Sequence, residues 1–187
     1  MKHRVVALLL IMVVLVNVSG VANALELPVP RFSQTPYKNL CWATAASMVI
    51  AYGKPDSIDR KVDIAKMIHD PNKLGLPFDK GGTPQNIRDV VWTYLRWAGS
   101  IWNSMLTYTG VQHQTNNGGP VVAGMKKTYS DGQVVLHALT IRGHERIGTE
   151  DRVIYNDPID GARYSIKYRT LVTHPTWGAW VYSVFWK

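Results

Sequence analysis

Cysteine is almost missing from this chain: Cys41 is the only one in 187 residues. That excludes any intramolecular disulfide framework and any zinc site built on paired cysteines. Past residue 16 there is no apolar run long enough to span a bilayer as a helix. No block of lysine and arginine with interleaved aromatics occurs, although the formal net charge is +8, so the electrostatic footprint of a nucleic-acid binder is absent. Internal repeats and low-complexity linkers are lacking too, which excludes a solenoid or a string of domains. The basic residues are scattered, and their excess suits solubility and attraction to acidic surfaces.

What is present begins with a leader. Lys2 and Arg4 precede the apolar run 5–16, and Ala22-Asn23-Ala24 matches a small-residue cleavage site. The expectation is a signal peptide over residues 1–24 and a secreted or periplasmic mature protein without stable membrane insertion; an uncleaved N-terminal anchor is the alternative. Residues 25–187 then form a single domain with 19 basic and 13 acidic residues, a net charge of +6. An exported protein usually uses cysteine in pairs, so a lone Cys41 is either paired between molecules or kept as a reactive thiol.

The two halves of 25–187 have different periodicities. Apolar residues at helical spacing predict helices over 41–52, 60–69 and from Thr83-Pro84 to a stop at Gly99. After Gly119 the pattern turns to strands over 120–125, 133–142, 152–156, 163–168 and 177–186, with turns at Asp131-Gly132 and 158–161. Helices first and an antiparallel sheet second is an α+β plan with a cleft between the halves.

Cys41 stands at the start of the first helix, where unpaired N–H groups and the helix dipole favour an anion. Ala43, Ala45 and Ala46 let a sheet approach closely, and Trp42 is placed to shield the sulfur. A small buried hydrophobe is the other role open to Cys41. His137, on the apolar strand Val134–Ile141, is the candidate base, or a hydrogen-bonded structural histidine. Asp157, held extended before Pro158, is the candidate for orienting the ring if its strand pairs with that of His137. It is otherwise a turn-initiating Asp, and Asn156 is its rival, facing the opposite side. Gln34 can donate to an oxyanion beside the helix start together with the Cys41 N–H, or is a polar loop residue. A zinc reading from His113, His137, His144 and Asp157 matches no common ligand spacing.

Gln34, Cys41-Trp42-Ala43, His137 and Asp157-Pro158, in this order, resemble the papain-like cysteine peptidases. The likeness is to compact bacterial members, such as the domains that trim double-glycine leaders and avirulence-type secreted peptidases. Gly119-Pro120-Val121-Val122 resembles the strand start before the histidine in that group. The resemblance implies a papain-like fold, a helical half packed on a sheet half, with peptides or proteins as substrates and no metal or organic cofactor. The implied roles are Cys41 as nucleophile, His137 as base, Asp157 as orienting acid and Gln34 at the oxyanion hole. The sequence departs from the large papains: only Cys-Trp of their longer cysteine motif is present, and the histidine and acid lie closer to the thiol. Two other readings stay open. One is a cysteine amidase or acyl transferase acting on cell-wall peptides, whose thiol usually follows Asp and precedes Ser. The other is a catalytically inactive binding module using Trp177, Trp180 and Trp186, rings whose spacing reads mainly as core packing.

Overall fold

A computed structural model describes residues 24–186. The expected signal peptide lies outside the described residues except for Ala24. The chain opens with a two-residue strand β1 (Leu25–Glu26), followed by helices α1 (Cys41–Gly53), α2 (Lys61–His69) and α3 (Pro84–Leu95). Strand β2 (Gly99–Trp102) and helix α4 (Tyr108–Asn116) come next, then β3 (Val121–Thr128), β4 (Val134–Ile147), β5 (Glu150–Asp157) and β6 (Ala162–Lys167). A one-turn helix α5 (Tyr168–Val172), β7 (Thr173–His174) and β8 (Gly178–Trp186) complete it.

Helix α1 is the centre of the packing: every residue from Trp42 to Ala51 is buried. A helix apolar on all sides must be covered on all sides, and here α2, α3 and β4 cover it. Alanines at 43, 45 and 46 bring those elements close, while Ile50, Met48 and Val49 fill the remaining space. Truncating Ile50 to Ala would cost about 2–5 kcal/mol. Helix α3 starts where Thr83 and Asn86 cap each other reciprocally, with Pro84 in the first turn. It ends at Leu95, earlier than the sequence pattern suggests, because Arg96 takes a left-handed conformation at φ +58° and closes the helix; Gly99 serves another purpose. A side chain there would stand 2.8 Å from the Trp186 indole, so Gly99 lets β2 lie close against β8.

All pairings are antiparallel, in the order β2-β8-β3-β4-β5-β6, with β1 on β4 and β7 on β8. Alternate residues feed two cores. Val122, Ala138 and Val184 join α1 and α3 on one face; Val121, Ala123, Leu139 and Ile141 join α4 and Leu171 on the other. The α+β plan holds, but the halves interleave: β1 and β2 come from the helical half, and the strand half carries α5. Helix α4 has no sequence prediction because Gln112, His113, Gln114 and Thr115 dilute its apolar stripe. The Asn116–Gly119 cluster closes that helix, with Gly118 at φ +75° and the Gly119 N–H on the Gln114 carbonyl. No helix among the described residues is long and apolar enough to cross a membrane.

Candidate active site

Cys41 is the first residue of α1, half-buried. Its position is fixed from outside the helix. The residue before it, Leu40, offers no side-chain cap. Instead the Asp79 carboxylate accepts the N–H groups of Lys38 at 3.1 Å and Asn39 at 2.9 Å, and the Asn39 amide donates back to the Asp79 carbonyl. The Cys41 N–H belongs to the first turn, which has no intrahelical acceptor. Trp42 is buried and donates its indole N–H to the Lys80 carbonyl at 2.9 Å. The ring lies so close to the chain at Gly82 that a β-carbon there would stand 2.2 Å from it.

His137, 5% exposed, faces the cleft from β4. Its Nε2 lies 2.7 Å from Asp157 Oδ1. Cys41 lines the same cleft, and Nδ1 is the ring nitrogen that Asp157 does not engage. Burial disfavours the imidazolium, but the hydrogen bonds and charges of Asp157 and Cys41 outweigh it and push the His137 pKa up to about 9. Asp157 is also buried, which works against its charge; the imidazolium and the N–H groups of Ile159 and Trp177 nevertheless hold its carboxyl below the usual range. Oδ1 accepts the Ile159 N–H at 2.9 Å, and Oδ2 accepts the Trp177 indole N–H at 2.9 Å. A carboxylate so surrounded has its orientation set on every side.

Strands β4 and β5 pair with Thr140 opposite Asn156. Asn156, the rival for the orienting position, turns the other way. Its amide N–H groups reach the Pro30 carbonyl and the Met48 sulfur, and its oxygen accepts from Arg142. Gln34 is buried and its segment is stapled to the turn after Asp157, through its own N–H to the Pro158 carbonyl at 2.6 Å. Its Nε2 donates to the carbonyls of Tyr37 at 3.2 Å and Lys38 at 3.1 Å, while Oε1 has no partner among the described residues.

Gln34, Cys41, His137 and Trp177 line one cleft of about 560 Å³, with Tyr182 and Gly82 on its walls. A larger cavity of about 1160 Å³, between α2 and the loop 70–79, contains none of them. Asp157 stands behind His137. His144 and His113 are elsewhere: His144 Nδ1 is 2.8 Å from the Thr115 hydroxyl, and His113 lies against Asn117.

The family model described as "Peptidase_C39 like family" matches residues 26–183. The chain belongs to this family of cysteine peptidases. No curated protein matches it. Among solved structures, the C39-like peptidase is similar to one from Bacillus anthracis at 14% identity and a TM-score of 0.56, over 88% of this chain and 97% of that one. It is similar to a mite allergen structure concerning Blo t 1 and Der p 1 at 16% identity and a TM-score of 0.55, over 84% and 66% of the two chains. A third likeness is to procathepsin L 3 of the Tenebrio molitor larval midgut, at 11% identity and a TM-score of 0.53, over 87% and 69%. These likenesses establish the papain-like fold of the peptidase.

Sequence reasoning passed over two contributors. Asp79 is invisible from Cys41 because 38 residues separate them. Trp177 reads as packing alongside Trp180 and Trp186, which are indeed buried in the cores. Trp177 itself is half-buried, stacks on the His137 ring with centroids 4.0 Å apart, and reaches Asp157. The sequence pattern places Trp177 at the start of a strand over 177–186, whereas it ends the three-residue connection before β8.

Proposed function

We propose that this peptidase is secreted and hydrolyses peptide bonds through Cys41, His137 and Asp157, with Gln34 assisting at the oxyanion. The observation that carries the reading is His137 itself: a buried ring held by a carboxylate on one nitrogen, in the cleft that Cys41 also lines, with its pKa pushed up to about 9. The sulfur attacks the substrate carbonyl carbon and forms a tetrahedral intermediate. The carbonyl oxygen becomes an oxyanion beside the start of α1, where the Cys41 N–H is a standing donor. The C–N bond then breaks as His137 gives its proton to the leaving amine, and a thioester remains. Water, deprotonated by His137, attacks the thioester and releases the acid and the thiol.

Gln34 enters with less freedom than a dedicated donor, because its amide nitrogen already faces the carbonyls of Tyr37 and Lys38. One N–H must be shared with the oxyanion, so its contribution ranks below that of the backbone. Secretion is supported by the leader pattern in residues 1–24.

Digestion of a peptide library followed by mass spectrometry tests the reading. Hydrolysis is expected for the wild type and a loss of at least ~10³-fold for Cys41→Ala, with an unchanged melting temperature. A papain-type epoxide is expected to label Cys41, and His137→Ala to slow that labelling. Cleavage of cell-wall peptides alone, or none by a folded enzyme, would overturn the proposal.

A further inference from the structure

We infer that His174, through its neutral ring, is a positioning residue that holds Trp177 over the His137–Asp157 pair; the role in turnover rests on the peptidase reading above. His174 ends β7 and is paired with Gly178 across a three-residue connection that carries Trp177. The imidazole is buried. Its Nδ1 accepts two backbone N–H groups of that connection, Thr176 at 3.2 Å and Trp177 at 3.2 Å. An acceptor nitrogen carries no proton, so the ring proton sits on Nε2, 3.1 Å from the Tyr155 hydroxyl. Only this neutral form satisfies both nitrogens. A second proton would put an N–H on Nδ1 directly against two other N–H groups.

The contact chain is short. His174 holds the Trp177 backbone, and the Trp177 side chain holds both partners of the charged pair: its ring stacks on His137 and its N–H reaches Asp157 Oδ2. Freeing the connection therefore uncovers the hydrogen bond that fixes His137. Strand β8 and helix α5, which carries Tyr168 and Arg169, pack on β7; Tyr155 of β5 meets the ring, and the charges of Asp157 and His137 reach it. Burial is the main influence on its charge and disfavours it; Asp157 pulls the other way, and the neighbouring His137 imidazolium opposes a second positive charge. The pKa lies below the ordinary value, in the direction of the neutral form that the hydrogen bonds select.

The decisive measurement is ¹⁵N-edited NMR of the whole 25–187 domain, titrated from about pH 8 to about pH 4. The Trp177 indole resonance is assigned with Trp177→Phe. The expected result is the Nε2–H tautomer at His174 and a Trp177 indole signal that moves with the same midpoint as the His174 ring. His174→Asn places a non-titrating oxygen near the Nδ1 position. It should make the indole signal independent of pH over that midpoint and shift the acid limb of hydrolysis to lower pH. His174→Phe, with no acceptor, should lower kcat about tenfold with little change in KM. The wild-type titration needs no His174 variant, so it decides the matter even if His174→Phe fails to fold. An indole signal that ignores the His174 titration, or an Nδ1–H tautomer, overturns the inference. A coupled titration in a protein without hydrolysis would instead remove the peptidase reading and leave the positioning intact.

Discussion

The indole of Trp177 lies on the imidazole of His137, ring centres 4.0 Å apart and planes 29° from parallel. The same indole donates to Asp157 Oδ2. One side chain therefore covers the histidine and engages the acid that orients it. Trp177→Ala should expose the His137–Asp157 hydrogen bond, speed solvent exchange of the His137 ring proton, and reduce kcat about tenfold. Trp177→Phe keeps the stacking and loses only the N–H donor, so it should fall between. Proton NMR and steady-state kinetics check both.

Asp157→Asn preserves size but presents an NH₂ where two acceptor oxygens are now used. The amide oxygen can serve His137 or the indole N–H, not both. His137 should lose much of its raised pKa, and hydrolysis should fall by roughly 10²-fold or more. An NMR titration of His137 beside kcat/KM measurements reads the two effects together.

Stability should depend on pH in two opposite arms. The folded pKa of His137 is raised from the ordinary 6.5 to about 9. Its contribution is full below 6.5 and is lost as pH rises through about 9. His144, buried beside Thr115, and His174 are shifted down by burial. Their contribution is full above 6.5 and is lost as pH falls toward their lowered folded values. Urea unfolding across pH should show both arms. His137→Gln is expected to flatten the alkaline decline, and His144→Gln to reduce the acid one.

Gly82→Ala would place a β-carbon 2.2 Å from the Trp42 ring. Trp42 is locked by its bond to Lys80 and sits next to the thiol, so it cannot yield freely. The variant should lose about 1–3 kcal/mol. A thermal melt measures that loss, and slower alkylation of Cys41 would report displacement of the helix start.

Gln34→Ala should be milder than loss of the thiol or the imidazole, about 10²-fold at most in kcat. The reason is that the Gln34 amide nitrogen is already engaged with Tyr37 and Lys38. Single-turnover kinetics on a peptide ester and a peptide amide would locate the deficit in acylation.

Much of the scaffold was legible in local patterns. Helical spacing over 41–52 marks α1, the apolar β-rich run over 133–142 marks the start of β4, and Thr83-Pro84 marks the first turn of α3. Helix α4 was not legible, since its polar residues carry no stripe and its burial comes from packing against the sheet. The reach of Gly99 was misread for a related reason. A glycine after a helix looks like a stop, but here the constraint is a Trp186 ring arriving from the other end of the chain.

The amino-acid sequence by itself determined the order of the main helices and strands, the chemical types available to a site, and the starts of α1 and α3. These follow from local sterics, capping and the periods of helix and strand. Which side chains finally touch was decided only by the tertiary structure: Asp79 bracing the approach to Cys41, Asn156 turning to Met48 while Asp157 meets His137, and Trp177 covering that pair. Periodicity states the face on which a residue lies. The distance between residues on different elements depends on sheet register, twist and side-chain packing, and those exist only once the whole chain has folded.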